Sequence, residues 1–184
     1  MYINYMSLIR GTLLYLVTTF ELNLPMEGNI VDVGWQLTRP LYSFLRRNPV
    51  FRDNLVLYNT IVWGSCLIYI NYLYFIYHNT LLMDKCMNLY LLRALTGYMT
   101  RLPVSQEMLT SRNDVPPSEQ NFFFFFSGHT FIMYLVVREL YADQYVYWGH
   151  FMAANLLVQT LRLLAMRGHY SIDIIMAFVL CHCF

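Results

Sequence analysis

The chain has 184 residues, of which 58% are apolar or aromatic and 12% charged, with a formal net charge of +1. So few charges cannot coat a water-facing surface, where soluble domains carry about 25%, and the composition also excludes disorder, which needs high charge and low hydrophobicity. A near-neutral chain projects no basic field toward nucleic acid. What remains is one all-α domain over residues 1–184, a polytopic membrane helix bundle. At roughly 20 residues per span there is room for about six transmembrane helices. The 16 Tyr and 13 Phe suit a bilayer and its interfaces.

The first predicted span runs from Tyr5 to Leu24, broken by Arg10, and no small-residue cleavage site follows it. A polar connector, Pro25 to Asn54, comes next. Within it Val33 to Leu45 reads as amphipathic, with Trp35 and other aromatic residues beside arginine, and predicts an interfacial helix between the first and second spans. The second span, Leu55 to Tyr77, is uncharged throughout and ends in a belt of tyrosines. The third, Leu81 to Met99, holds Asp84, Lys85 and Arg93, charges that belong in the bundle interior or among headgroups. Pro103, Pro116 and Pro117 keep Thr100 to Asn121 a loop. The fourth span starts at Phe122 and runs to Leu140, and the fifth covers Tyr147 to Met166. The sixth, from His169 to Phe184, reaches only about 22 Å. That is short of a typical core of about 30 Å, so it either thins the bilayer or is truncated.

Four cysteines, Cys66, Cys86, Cys181 and Cys183, lie in or beside apolar runs and form no CxxC pair, which argues against zinc and against a disulfide framework. No Asn-x-Ser/Thr sequon occurs. His150 and His182 read as polar anchors at the membrane edge.

Two polar islands interrupt the spans: Ser127-Gly128-His129-Thr130, directly after five phenylalanines, and Arg167-Gly168-His169-Tyr170-Ser171-Ile172-Asp173. Ionisable residues at membrane depth are functional candidates by default. Counting spans puts both islands on the same surface, whichever way the bundle is oriented. His169 and Asp173 are four apart and share a face on a helix. A carboxylate on one imidazole nitrogen fixes the tautomer and frees the other as nucleophile or base. His129 can then serve as general acid toward a leaving group. Arg167 and Arg162 can hold phosphate oxygens through bidentate guanidinium contacts, and Gly128 and Gly168 allow close backbone approach beside each histidine. The combination suits phosphoryl transfer without a metal or a cofactor. The plainer alternatives are that Arg167 is an interfacial anchor and that Asp173 is a first-turn carboxylate favouring the helix dipole.

Ser127-Gly128-His129 and His169-x-x-x-Asp173 resemble the last two signature motifs of the lipid phosphatase/phosphotransferase superfamily. Phe126-Ser-Gly-His-Thr130 and His169-Tyr-Ser-Ile-Asp173 are similar to its sphingomyelin synthase branch. The closer likeness is to the plant-type phosphatidylcholine:diacylglycerol cholinephosphotransferases. It also includes the stretches Asp32 to Arg39, Leu95 to Tyr98, Leu102 to Gln106 and Arg162 to Asp173, and covers roughly Asp32 to Phe184. The hydrolase branch's first motif, a Lys followed by Arg-Pro, is incomplete: Arg39-Pro40 is present, but Asp32 stands where the Lys would be. Arg162 also lies one place further from the histidine than in that branch.

The resemblance implies six transmembrane helices and a His-His-Asp triad. It implies that His169 attacks the headgroup phosphorus, Asp173 orients it, and His129 protonates the departing alcohol, with Arg167, Arg162, Ser127 and Gly128 on the phosphate. A phospho-histidine would then pass phosphocholine from phosphatidylcholine to diacylglycerol or ceramide. The expected partners are those lipids and the bilayer, with a homo-oligomer also open. The expected place is an endoplasmic reticulum or Golgi endomembrane. The alternatives are a lipid phosphate phosphatase, with water replacing the second alcohol, and a catalytically silent lipid-binding relative. The resemblance puts the triad on the lumenal or exoplasmic side. The positive-inside rule, which counts Arg39, Arg46, Arg47, Arg52, Arg101, Arg112 and Arg167 on that face, points to the cytosol. Arginines that bind phosphate or lie in an interfacial helix mislead that rule, and the reading follows the resemblance.

Overall fold

The computed structural model describes residue 12 and residues 32–113 and 122–184. The predicted first span, Tyr5 to Leu24, lies outside the described residues apart from residue 12. Among the described residues the regular structure is helical except for one two-stranded sheet.

The expected interfacial helix is two helices, α1 (Val33–Leu37) and α2 (Arg39–Arg47). Pro40 has no N–H to offer the carbonyl one turn back, and the Thr38 N–H closes α1 onto Gly34 O at 3.0 Å. The second span forms within α3 (Pro49–Tyr77), 29 residues that start at a proline suited to the first helical turn. Among the described residues α3 is the one helix long and apolar enough to cross a membrane. His78 ends it in the left-handed region, φ 54°, and the Asn79 N–H returns to Leu73 O at 3.1 Å. α4 (Thr80–Met99) takes the place of the third span.

The fourth span does not start at Phe122. Phe122–Phe124 is a strand, β2, paired antiparallel with β1 (Arg101–Pro103) in the register Arg101↔Phe124, Leu102↔Phe123, Pro103↔Phe122. Aromatic runs favour strands, and Ser127 caps the next helix, so α5 (Gly128–Ala142) starts later. α6 (Val146–Ala165) and α7 (Ser171–Cys183) complete the order.

α5 is the central helix. Phe131, Ile132, Met133, Leu135, Val136, Val137 and Leu140 bury nearly its whole circumference, as expected of an interior helix. Val62, Cys66 and Ile70 of α3, Leu82, Cys86 and Leu89 of α4, Met152 and Leu156 of α6, and Ala177 and Cys181 of α7 pack around it. A smaller cluster of Leu45, Val56, Ala165 and Met166 fastens α2 to the start of α3 and the end of α6. The outward faces are apolar too: Ile61, Ile68 and Phe75 on α3, Leu157 and Leu161 on α6, and Ile175 and Val179 on α7 are all exposed. Exposed apolar area on this scale marks a surface that meets lipid or protein rather than water. At the far end of the bundle Arg138 of α5 donates to Cys181 O, satisfying a carbonyl in the last turn of α7. His150 shares a hydrogen bond of 2.7 Å with the Tyr141 hydroxyl.

Candidate active site

The two islands meet where the N-termini of α5 and α7 touch. Ser127 caps α5, its Oγ accepting from Thr130 N at 3.3 Å, while its own N–H donates to the Asp173 carbonyl at 3.3 Å. The Ser127 hydroxyl is therefore held by the helix it starts. Arg93 of α4 braces the same corner, its Nε donating to Phe126 O at 2.7 Å.

His169 and Asp173 come together, though not across a helix face. His169 precedes the helix, Tyr170 is the N-cap, and Asp173 occupies the third helical position. Asp173 is 0% exposed; its Oδ2 accepts from Tyr170 N at 3.0 Å and from His169 Nδ1 at 3.1 Å. The carboxylate thus caps α7 and sets the imidazole with the same oxygen. A proton on Nδ1 leaves the lone pair on Nε2. His129, one residue into α5, rests against Trp63 of α3 with ring centroids 4.8 Å apart. Arg162, His169 and Arg93 all act on it electrostatically, so the second histidine belongs to the same site.

Arg167 and Arg162 are buried, at 5% and 6% exposure. Arg167 sits on a left-handed turn, φ 60°, with its guanidinium carbon 5.2 Å from the Trp35 ring centre and 4.9 Å from that of Tyr42. Cation–π contact on two rings fixes the group without using its N–H donors. Glu107 Oε2 stands 4.0 Å from Nε, beyond hydrogen-bond reach, and among the described residues Nε and Nη1 have no hydrogen-bond partner. Arg162 Nε donates to Gln159 Oε1 at 3.1 Å. A Cβ added to Gly128 would meet Arg93 Nε at 3.6 Å, and one on Gly168 would meet Leu163 O at 3.7 Å, both ordinary contacts. The protein itself does not crowd either glycine.

Several residues beyond those expected hold the site. Asp32 caps α1 through Trp35 N (2.9 Å) and grips the start of α7, where it accepts from Ser171 N (2.7 Å) and Ser171 Oγ (2.8 Å). Gly34 N donates to the same Ser171 Oγ at 2.9 Å, and a Cβ at Gly34 would lie 2.2 Å from that oxygen, so only glycine fits. Trp35 stacks on Tyr170 at 4.6 Å, and the Tyr170 hydroxyl donates to Pro103 O at 2.7 Å. Leu109 N donates to Met166 O at 2.9 Å. Residues 103–109 therefore meet the 166–170 turn at three points. Asp32 and Trp35 lie in a stretch that resembles the family, but nothing in the sequence gives their contacts, whereas Arg93 is a charge at membrane depth, and the rule that marks the islands marks it as well.

Most of the chain that builds this corner matches known proteins. The AtPDCT1/2 family model matches residues 31–184, and the chain belongs to that family. Phosphatidylcholine:diacylglycerol cholinephosphotransferase 1 of Arabidopsis thaliana is 28% identical over 165 residues, 89% of this chain and 55% of the relative. Phosphatidylcholine:diacylglycerol cholinephosphotransferase 2 of the same plant is 30% identical over 156 residues, 85% and 52% respectively. The chain spans about half the length of these curated relatives. No solved structure matches.

Proposed function

We propose that the chain transfers phosphocholine from phosphatidylcholine to diacylglycerol by way of a phospho-histidine. His169 Nε2 attacks phosphorus, the bond from phosphorus to the glycerol oxygen breaks, and His129 gives its proton to the departing diacylglycerol. A second diacylglycerol returns a proton to His129 as its oxygen attacks phosphorus, and the phosphorus–nitrogen bond breaks. Arg167 and Arg162 take the non-bridging oxygens, with the open Nε and Nη1 of Arg167 supplying charge-assisted donors. The observation that carries this reading is the fully buried Asp173 carboxylate 3.1 Å from His169 Nδ1, which sets the tautomer for attack through Nε2. The relatives' names supply the substrates. The apolar outward faces support a multi-pass bundle into which both lipids diffuse laterally, and the resemblance to lipid-headgroup transferases is the ground for placing it in an endoplasmic reticulum or Golgi membrane.

Membranes carrying the full chain, given choline-labelled phosphatidylcholine and a diacylglycerol of distinct acyl chains, test it. Label in phosphatidylcholine bearing the new chains is expected, and His169→Ala and Asp173→Asn abolish it while the protein still inserts. Free labelled phosphocholine would make the chain a hydrolase. Near-full activity in either variant would overturn the mechanism.

A further inference from the structure

A helix lying in the headgroup layer normally turns its apolar face to lipid, and α2 is built the other way round. Its apolar side faces the protein: Leu45 is 0% exposed among Val56, Ala165 and Met166, Leu41 packs on the same cluster, and the Tyr42 ring lies against the Arg167 guanidinium. Arg39, Arg46 and Arg47 are left outside, all exposed. With Ser43 they fall at positions i, i+4, i+7 and i+8, so they share one face of the helix. From Val33 to Arg52 the chain holds no Asp or Glu. Among the described residues none of the three arginines pairs with a carboxylate.

The depth of this stripe follows from α3, which starts directly after it. The uncharged part of α3, Leu55 to Tyr77, is long enough to fill a hydrocarbon core of about 30 Å. The turns before it, Pro49 to Asn54, rise about 9 Å further, which brings α2 to the level of the lipid phosphates. Phe44, Val50 and Phe51 are exposed there, the two phenylalanine rings 5.3 Å apart, and such side chains suit the boundary between headgroups and acyl chains.

A row of guanidiniums with no acid among them calls for an anion, and phosphate oxygens are its natural partner. The aromatic flank calls for that phosphate to belong to a lipid. Neither lipid of the transfer reaction fits: diacylglycerol carries no charge, and phosphatidylcholine brings its own cation to a cationic face. An anionic phospholipid brings the phosphate without the cation. We propose that the outer face of α2 is a binding surface for anionic phospholipids, separate from the substrates. The inner face of the same helix touches Met166 and Arg167, so the bound lipid fixes the height of the catalytic turn in the membrane. The surface needs the bilayer but not the transfer reaction.

The test reconstitutes the full chain in phosphatidylcholine vesicles with a trace of spin-labelled phosphatidylglycerol or, separately, spin-labelled phosphatidylcholine, and reads the fraction of each label that the protein immobilises. The wild type is expected to favour phosphatidylglycerol by about fivefold, the effect of one arginine near an anionic lipid surface. Salt at about 1 M should remove the preference, because it cuts the screening length to about 3 Å. Arg39→Gln/Arg46→Gln/Arg47→Gln is expected to abolish it. Arg39→Lys/Arg46→Lys/Arg47→Lys, which keeps the charge, should keep most of it, and so should Arg112→Gln, which removes an exposed arginine outside α2. A wild type without the preference, or a glutamine variant that retains it, overturns the surface and leaves the stripe to an acidic protein. Either result leaves the transferase reading to its own label-exchange assay. A wild type that immobilises neither lipid overturns the multi-pass reading and the surface together.

Discussion

The indole N–H of Trp35 donates to the backbone carbonyl of His169 at 2.8 Å, across 134 positions of sequence. The contact ties α1, the first described helix, to the residue that would attack phosphorus. Together with the Asp32 grip on Ser171 it fixes the start of α7 from outside the bundle.

Trp35→Phe removes this donor and keeps a ring to stack on Tyr170 and Arg167. Turnover in the label-exchange assay is expected to fall about tenfold with little change in KM, since a misplaced nucleophile costs the chemical step. A matched rise in KM would mean the ring serves binding instead.

Gly34→Ala places a methyl 2.2 Å from Ser171 Oγ. α1 must then move off α7, breaking the bond from Gly34 N and straining the Asp32 grip. Overpacking of this kind costs about 1–3 kcal/mol, read as a lowered thermal midpoint in detergent. The double variant with Ser171→Ala should recover part of that loss, because the blocking oxygen is gone.

Asp32→Ala removes acceptors for Trp35 N, Ser171 N and Ser171 Oγ at once. The lost cap alone is worth about 1 kcal/mol, so protease sensitivity should rise at the connector. Asp32→Asn keeps only one carbonyl oxygen and should fall between wild type and Ala. Equal behaviour of Asn and wild type would show that the charge and second oxygen contribute nothing.

Arg167→Lys keeps a cation but loses the planar fork that lies between two rings and presents Nε and Nη1. Activity should drop about tenfold or more, while membrane insertion and expression stay level. Full activity in Lys would reduce Arg167 to an anchor.

Arg93→Leu strands the Phe126 carbonyl, an acceptor buried just before the cap of α5. A loss of about 1–3 kcal/mol is expected, read as a lowered thermal midpoint.

Several helices are legible because apolar length is a strong signal: α4 and α6 begin and end within a residue of the change in polarity, and α3 ends with its apolar run but starts six residues before it, taking in Arg52 and Asp53. The pairing of His169 with Asp173 was legible from spacing, although the two meet across a helix start rather than along its face. The phenylalanine run has the composition of the head of a span yet forms a strand, because composition cannot separate a buried helix from a strand when a loop returns to pair with it. The roles of Asp32, Gly34 and Trp35 depend on contacts with residues 169–171, which no local pattern encodes.

The three contacts between residues 103–109 and the 166–170 turn run in opposite directions along the chain. Pro103 meets Tyr170, Glu107 faces Arg167, and Leu109 meets Met166. The two segments behave as a zip whose teeth are spaced by sequence, so the distance in residues from 103 to 109 is itself a functional parameter. A single inserted residue there would slide one side past the other and shift His169, although it alters no residue of the site.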